Sequence, residues 1–226
     1  MTDIIRNIER VAPEVVAAAA QYPSSILADA AGRRGGMHGR IAPLSPSMAF
    51  AGPAFTVEVR PGDNLMIHAA MALAQPGDVL VIDGKGDLGA ALMGEIMSQQ
   101  CLALGINAAV IDGAARDSLA LCALGFPMFA AGLSPNGPTK GVGGRINHPV
   151  SVGGVTVFPG DLVVGDADGV TVIERSKAAA MLPLAAEKIA AESKRIADIQ
   201  SRKQLTPDWL LPALRAAGVL GEGEAL

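Results

Sequence analysis

Two acids and an arginine stand where an α/β protein can do chemistry. Glu95 opens a helical pattern after an apolar, glycine-punctuated run, and Arg116-Asp117 follows the next apolar run, with twenty residues between Glu95 and Arg116. A guanidinium can grip a carboxylate through two parallel hydrogen bonds. A neighbouring aspartate can hold a hard cation such as Mg²⁺ and leave the rest of its shell to water and substrate oxygens. Each feature also has a plain explanation. Acids are favoured in a first helical turn, and an aspartate after a strand commonly caps a surface helix.

The surrounding pattern supports a site. Residues 79–83 (VLVID) and 108–112 (AAVID) are unbroken apolar runs of strand length, with a helical pattern near 94–104 between them and another near 117–124 before a strand at 127–130. Strand–helix–strand–helix–strand implies a parallel sheet. Open sheets of this kind bind ligands just beyond the carboxyl ends of their strands, where Glu95 and Arg116-Asp117 fall. Upstream, residues 3–20 and 25–31 read as helices and 54–60 as a half-buried strand. Pro-Gly-Asp recurs at 61–63, 76–78 and 159–161. Pro then Gly suits the centre of a type II turn, and Asp63 can cap a helix running to about Ala74. Residues 150–173 read as a β meander turning at Gly153-Gly154 and Asp168-Gly169, and 176–203 as a helix, with a short helical tail beyond.

Gly84-Lys85-Gly86-Asp87-Leu88-Gly89 matches the GxGxxG dinucleotide fingerprint. Its position argues against that use, because some 80 residues precede it and the loop runs on to Gly94. An S-adenosylmethionine reading leans on the same glycines and fails likewise. A flexible turn remains open. The preferred reading is a loop whose N–H groups, with the helix start at 94–97, cradle a small anion.

Composition narrows the class. The 226 residues are 50% apolar and 3% aromatic, with a net charge of −4. No basic stripe or stacking platform is present, which argues against nucleic acid as a partner. No run approaches the ~18 apolar residues of a membrane span, and the N-terminus lacks a signal-peptide core, so the expected location is cytoplasmic. Cys101 and Cys122 lie in apolar helical patterns and read as reduced core residues. His38, His68 and His148 show no ligand spacing and read as structural. Asp166-Ala167-Asp168-Gly169 reads as a hairpin turn rather than a calcium loop.

The spacing of an acid, twenty residues and Arg-Asp resembles the RraA-like family, in its branch of class II pyruvate aldolases acting on 4-hydroxy-4-methyl-2-oxoglutarate and 4-carboxy-4-hydroxy-2-oxoadipate. The likeness covers about residues 5–200. It includes PGDNLMIH (61–68), PGDVLVIDG (76–84), GDLGAALMGE (86–95), VIDGAARD (110–117) and PVSVGGVTVFPGDLVVGDADGVTVI (149–173). The resemblance implies an αββα sandwich of the swivelling β/β/α type, with a parallel central βαβαβ unit and a C-terminal helix. It implies homotrimers or homohexamers with sites between subunits, a domain over 1–204, and a tail over 205–226 packing on a neighbour. Asp117 would ligate a divalent cation, Mg²⁺ first and Mn²⁺ second. Arg116 would bind the substrate carboxylate and stabilise the pyruvate enolate. The backbone of Gly94, Glu95, Ile96 and Met97 would hold the other end of a 2-oxo acid, and Glu95 would act through a water. The implied reaction is retro-aldol cleavage releasing pyruvate, with oxaloacetate decarboxylation through the same enolate. The alternative within the family is a regulator of ribonuclease activity that works by protein binding. Those regulators depart from the aldolase pattern at the position of Asp117, which this chain keeps.

Two further features bear on this. Leu182, Ala185, Ile189, Glu192, Ile196 and Ile199 recur at helical spacing, which places Glu192 on an apolar stripe where a carboxylate needs a partner. In the family an acid before Lys-Arg on this helix reaches the neighbouring subunit's metal, through water; a wet edge of the stripe is the plain alternative. Lys85 and Lys140 both lie in glycine-rich segments, away from a natural Schiff-base position, which favours metal over imine chemistry.

Overall fold

The computed structural model describes residues 3–221 and 223–226. In chain order the elements are α1 (Pro13–Ala19), α2 (Ser24–Ala30), β1 (Ala42–Pro43), β2 (Phe50–Glu58), α3 (Leu65–Met71), β3 (Val79–Met93), α4 (Glu95–Ala103), β4 (Ala108–Ala115), α5 (Ser118–Leu124) and β5 (Met128–Leu133). They continue with β6 (Arg145–Ile146), β7 (Val150–Val152), β8 (Val155–Val157), β9 (Leu162–Asp166), β10 (Gly169–Ile173), α6 (Arg175–Gln200) and α7 (Leu210–Ala216). The chain divides into two compact units, Met1–Ala185 and Ala186–Leu226, with the division inside α6.

The first unit is built on one sheet in the order β1-β5-β4-β3-β2-β9-β10, with β6 also paired to β2. Strands β2, β3, β4 and β5 run parallel, and β9 and β10 add antiparallel pairs. This is the expected α/β class with its parallel βαβαβ centre. Alternation along a strand sends successive side chains to opposite faces. Leu80 and Ile82 therefore join Phe55, Val57 and Ile111 on one face, with Met71 from α3, Cys101 from α4 and Leu121 from α5. Val79 and Val81 join Val110, Phe129, Val152, Val157 and Val163 on the other. The three connecting helices thus cover one face, and the opposite face packs on the β7–β8 hairpin.

Several local expectations change. The helix expected over 3–20 is confined to α1. Before it, the chain follows the sheet edge, with Ile5 N–H donating to Ile146 O and Val11 N–H to Gly160 O, and Pro13 starts the helix. Gly62, Gly77 and Gly160 all have positive φ, as the type II reading of the Pro-Gly-Asp turns requires. The glycine-rich segment 84–89 is not a loop before a helix: it lies inside β3, which runs to Met93. Its register against β4 jumps from Asp83↔Asp112 to Asp87↔Gly113 and then to Ala91↔Ala114. Lys85 and Gly86 have φ near +60 to +70°, which throws out the extra residues as bulges. A Cβ on Gly84 would lie 2.7 Å from Asp112 O, so the strands meet there only because the side chain is missing. Cys101 is fully buried, whereas Cys122 is exposed on the outer side of α5. No helix among the described residues is long and apolar enough to cross a membrane.

In the second unit, Arg195 closes the turn after α6 by donating to the carbonyls of Gln204 and Leu205. Trp209 is exposed.

Candidate active site

The ends of β3 and β4 lie side by side, with Met93 paired to Ala115. That pairing brings the start of α4 against Arg116-Asp117. Asp117 adopts a left-handed backbone (φ 59°, ψ 37°) at the N-cap of α5, yet its side chain does not cap α5. Its Oδ2 instead accepts the Glu95 N–H at 3.0 Å, and the Arg116 Nε lies 3.6 Å from the same oxygen. The aspartate is therefore spent across the strand ends, on the first turn of the neighbouring helix. Such a turn has N–H groups without intrahelical partners. Those of Ile96 and Met97 have none among the described residues. Asp117 Oδ1 likewise has no protein partner there, so one carboxylate oxygen stays available to a cation.

Gly94 is the joint between strand and helix. A Cβ there would strike Asp117 Oδ2 and lie 2.9 Å from Arg116 Cγ. A Cβ on Gly137 would lie 3.1 Å from Arg116 Nη1. Two glycines thus make room for the guanidinium, one on each side.

A cavity of about 140 Å³ opens at this junction. Gly94, Ile96, Met97, Arg116 and Asp117 line it together with Asn64, His68, Pro138 and Lys140. The structure thus gathers Gly94, Ile96, Met97, Arg116 and Asp117 as the sequence suggests. Glu95 contributes its backbone to the first turn, but its exposed side chain is not part of the lining. Glu192 belongs to the second unit, where it is exposed and lies 3.3 Å from Lys188 Nζ, one helical turn away. In the single chain that carboxylate is exposed. Segment 84–89 does not form the anion cradle either. Lys85 Nζ there is occupied by Asp83 and Glu58, and the bulged strand offers no tight turn into a helix.

Two residues set aside in the sequence belong to the lining. His68 lies on α3, and burial together with the charge of Lys140 holds its imidazole below the ordinary histidine range. Its Nε2 and the Oδ1 of Asn64 are buried with no hydrogen-bond partner among the described residues. Lys140 lies on a loop clamped by Asp63. The Asp63 carboxylate accepts the Thr139 hydroxyl (2.7 Å) and the N–H groups of Gly141 (2.7 Å), Val142 (3.2 Å) and Leu65 (3.0 Å). Burial alone would raise the Asp63 pKa, but these donors outweigh it and hold the carboxyl below its usual value. The signal was present in PGDNLMIH: Asn64 and His68 stand four apart, on one helical face. Only the fold shows that this face meets β3.

Among the described residues no three acids, histidines or cysteines cluster as a full set of metal ligands. The donor set fits a hard cation that takes one carboxylate from the protein and the rest of its shell from water and ligand. A parallel sheet with a carboxylate, a guanidinium and a helix start at its carboxyl edge defines a class of small-anion-binding α/β proteins.

The comparisons give the family. The RraA-like family (Aldolase/RraA) matches residues 24–172, and the chain belongs to this family. It is 43% identical over 194 residues to the "Putative 4-hydroxy-4-methyl-2-oxoglutarate aldolase" of Halalkalibacterium halodurans, covering 86% of this chain and 89% of that one. Among solved structures it is similar to RraAS2 of Streptomyces coelicolor, an unusual member of the RNase ES inhibitor RraA protein family. That likeness has a TM-score of 0.72 and 26% identity over 86% of this chain and 100% of that one. It is also similar to a Geobacillus kaustophilus protein named S-adenosylmethionine: 2-dimethylmenaquinone methyltransferase, with a TM-score of 0.63 and 31% identity over 67% of this chain and 94% of that one. One fold here carries three different names, so function must be argued from the site.

Proposed function

We propose that the protein is a divalent-metal-dependent lyase that cleaves 4-hydroxy-2-oxo acids of the 4-hydroxy-4-methyl-2-oxoglutarate type and releases pyruvate. The observation that carries this reading is Asp117. One of its oxygens is fixed by the Glu95 N–H and the other is open, beside a guanidinium and the free N–H groups of a helix start. The similarity to the Halalkalibacterium protein supports it. A methyl-donor site finds no support in segment 84–89, which is bulged strand rather than a nucleotide loop.

Arg116 holds the substrate's C1 carboxylate and keeps a positive charge beside the enolate that develops. The N–H groups of Ile96 and Met97 face the same anionic end. Asp117 would hold a divalent cation, Mg²⁺ or Mn²⁺, which when bound would supply Lewis-acid polarisation of the substrate carbonyl. Glu95, exposed between the lining residues Gly94 and Ile96, polarises a water that takes the proton from the C4 hydroxyl. The C3–C4 bond then breaks, C4 becomes a carbonyl carbon, and the enolate is protonated at C3 to give pyruvate. Oxaloacetate decarboxylation passes through the same enolate and is the expected side reaction. Glu192 from a neighbouring subunit, acting through water in a trimer or hexamer, completes the proposed site.

The test is pyruvate release from 4-hydroxy-4-methyl-2-oxoglutarate, coupled to lactate dehydrogenase, with Mg²⁺ and then with EDTA. Activity that needs Mg²⁺ and disappears in Asp117→Ala supports the reading. Activity untouched by EDTA sinks the metal mechanism. The Streptomyces relative's name motivates the second reading, a ribonuclease regulator. Capture of a ribonuclease by a protein that releases no pyruvate would favour it.

A further inference from the structure

The loop from Ser134 to Val142 is fastened at both ends. Asp63 holds its far end through Thr139, Gly141 and Val142. The glycine-rich part of β3 holds its near end. Gly89 O accepts the Ser134 hydroxyl at 3.2 Å and Asn136 Nδ2 at 3.0 Å, and the Ala91 N–H donates to Asn136 O at 2.9 Å. These groups belong to the stretch where β3 slips against β4. Between the pairs Asp87↔Gly113 and Ala91↔Ala114, residues 88–90 have no partner in β4. Extra residues in a strand leave the ladder, and here the carbonyl of one of them is turned to the loop. Asn136 is thus held twice, by its side-chain amide and by its own carbonyl, and Gly137 follows it. A Cβ on Gly137 would lie 3.1 Å from Arg116 Nη1, so the loop backbone stands against the guanidinium with no room for a side chain.

The guanidinium has little else to orient it. Among the described residues it donates no hydrogen bond, and its ion pair with Asp117 is 3.6 Å long, beyond hydrogen-bond length. Two parallel bonds to a carboxylate need the guanidinium plane at a set angle. A side chain that is 41% exposed and makes no hydrogen bond does not hold that angle alone. Packing holds it, from Gly94 at Cγ and Nε and from Gly137 at Nη1. We propose that the bulge of β3 and Asn136 form a brace that sets the plane of the Arg116 guanidinium through Gly137. Asn136 is a positioning residue, since it acts only through Arg116. The segment 84–89, which neither cradles an anion nor opens a helix, thereby gains a role as the anchor of this brace. The inference rests on the aldolase reading, which sets Arg116 on the substrate carboxylate.

The test is a set of double-mutant cycles in the full-length protein with Mg²⁺, read by pyruvate release from 4-hydroxy-4-methyl-2-oxoglutarate. Asn136→Ala removes the amide bond to Gly89 O and is expected to lower kcat/KM about three- to tenfold, because a loosened guanidinium is still present but misplaced. Gly137→Ala keeps every hydrogen bond of the brace and displaces Nη1 instead. Gly137 has no positive φ, so alanine fits its backbone, and a loss of about the same size is expected. Arg116→Lys is the second arm of each cycle: it keeps the charge but has no plane to set. In that background each brace variant should change kcat/KM by less than about twofold. The melting temperature of Asn136→Ala should move by no more than about 2–4 °C, which separates misplacement from unfolding. Losses that multiply in the double variants, or full activity in either single brace variant, would overturn the brace and leave the aldolase reading intact. If the unsubstituted protein releases no pyruvate, the aldolase reading falls first and takes the brace with it.

Discussion

Gly94→Ala separates the geometry of the site from the stability of the fold. Gly94 has φ −154° and ψ −160°, extended backbone that alanine adopts without strain. The added methyl instead meets Asp117 Oδ2, Arg116 Cγ at 2.9 Å and Arg116 Nε at 3.2 Å. Both of those side chains are about two-fifths exposed, 41% each, and can move aside. Moving them breaks the bond from the Glu95 N–H to Asp117, 3.0 Å long and charge-assisted. Such a bond contributes about 1.5–3 kcal/mol. At about 1.4 kcal/mol per factor of ten, kcat/KM should fall roughly ten- to a hundredfold. The Mg²⁺ concentration for half-maximal rate should rise, because Asp117 no longer has a fixed position. Because both side chains are partly exposed, water replaces much of the lost bond in the unliganded fold, and the melting temperature should shift by no more than about 2–4 °C, the size of a 1 kcal/mol change in a chain of this length. The assay is coupled pyruvate release across a Mg²⁺ titration, beside thermal unfolding. An alanine variant with unchanged kcat/KM and unchanged Mg²⁺ dependence would refute the argument that Gly94 seats Asp117 and Arg116 for catalysis.

Other perturbations reach different parts of the structure. Arg116→Ala should lower kcat/KM by about 1.5–3 kcal/mol of lost transition-state binding, read in the same assay; near-normal turnover would mean the carboxylate is bound elsewhere. Asp63→Ala removes the buried carboxylate on which four donors of the clamp converge and should destabilise the fold by about 2–4 kcal/mol, measured by urea unfolding. Because the folded pKa of Asp63 is depressed, its stabilisation is present above the unfolded value, about 3.9, and fades as pH falls through the lower folded value. The pH profile of unfolding in Asp63→Asn should therefore lack part of the acid loss seen in the unsubstituted protein. Ellman's reagent should label one thiol in the native protein, the exposed Cys122. It should reach Cys101, whose pKa burial pushes up to about 12, only after unfolding.

Much of the site could be read from the chain because it is local to strand ends. Unbroken apolar runs at 79–82 and 108–111 mark strands buried on both faces, and polar residues just past such strands fall at the ligand-binding edge. Arg116-Asp117 and the start of α4 are placed by that rule alone. Glycine was harder to interpret. In the sequence 84–89 looks like a nucleotide loop, since Gly-x-Gly is equally compatible with a phosphate turn and with a strand that bulges against its neighbour. Gly94, unremarked in the pattern except as backbone, is the glycine on which the site's geometry depends. Glu192 sits on an apolar stripe by helical arithmetic, and within one chain it lies beside Lys188. Periodicity gives the direction of a side chain, not what stands opposite it.

His68 and Lys140 show the same division. Neither stands out in the sequence, because seventy-one residues separate them and no short spacing links them. The sequence by itself determined the class of fold, the parallel centre, and the placement of Glu95, Arg116 and Asp117 beside one another, because hydrophobic periodicity and turn residues act over short stretches of chain. Only the tertiary structure decided that Asp117 reaches across to α4 instead of capping its own helix. It also decided that Asp63 ties the Lys140 loop to α3, and that Asn64 Oδ1 and His68 Nε2 are buried without hydrogen-bond partners among the described residues. Those outcomes depend on which strands pair and where their register slips, and such long-range contacts leave no local mark in the chain.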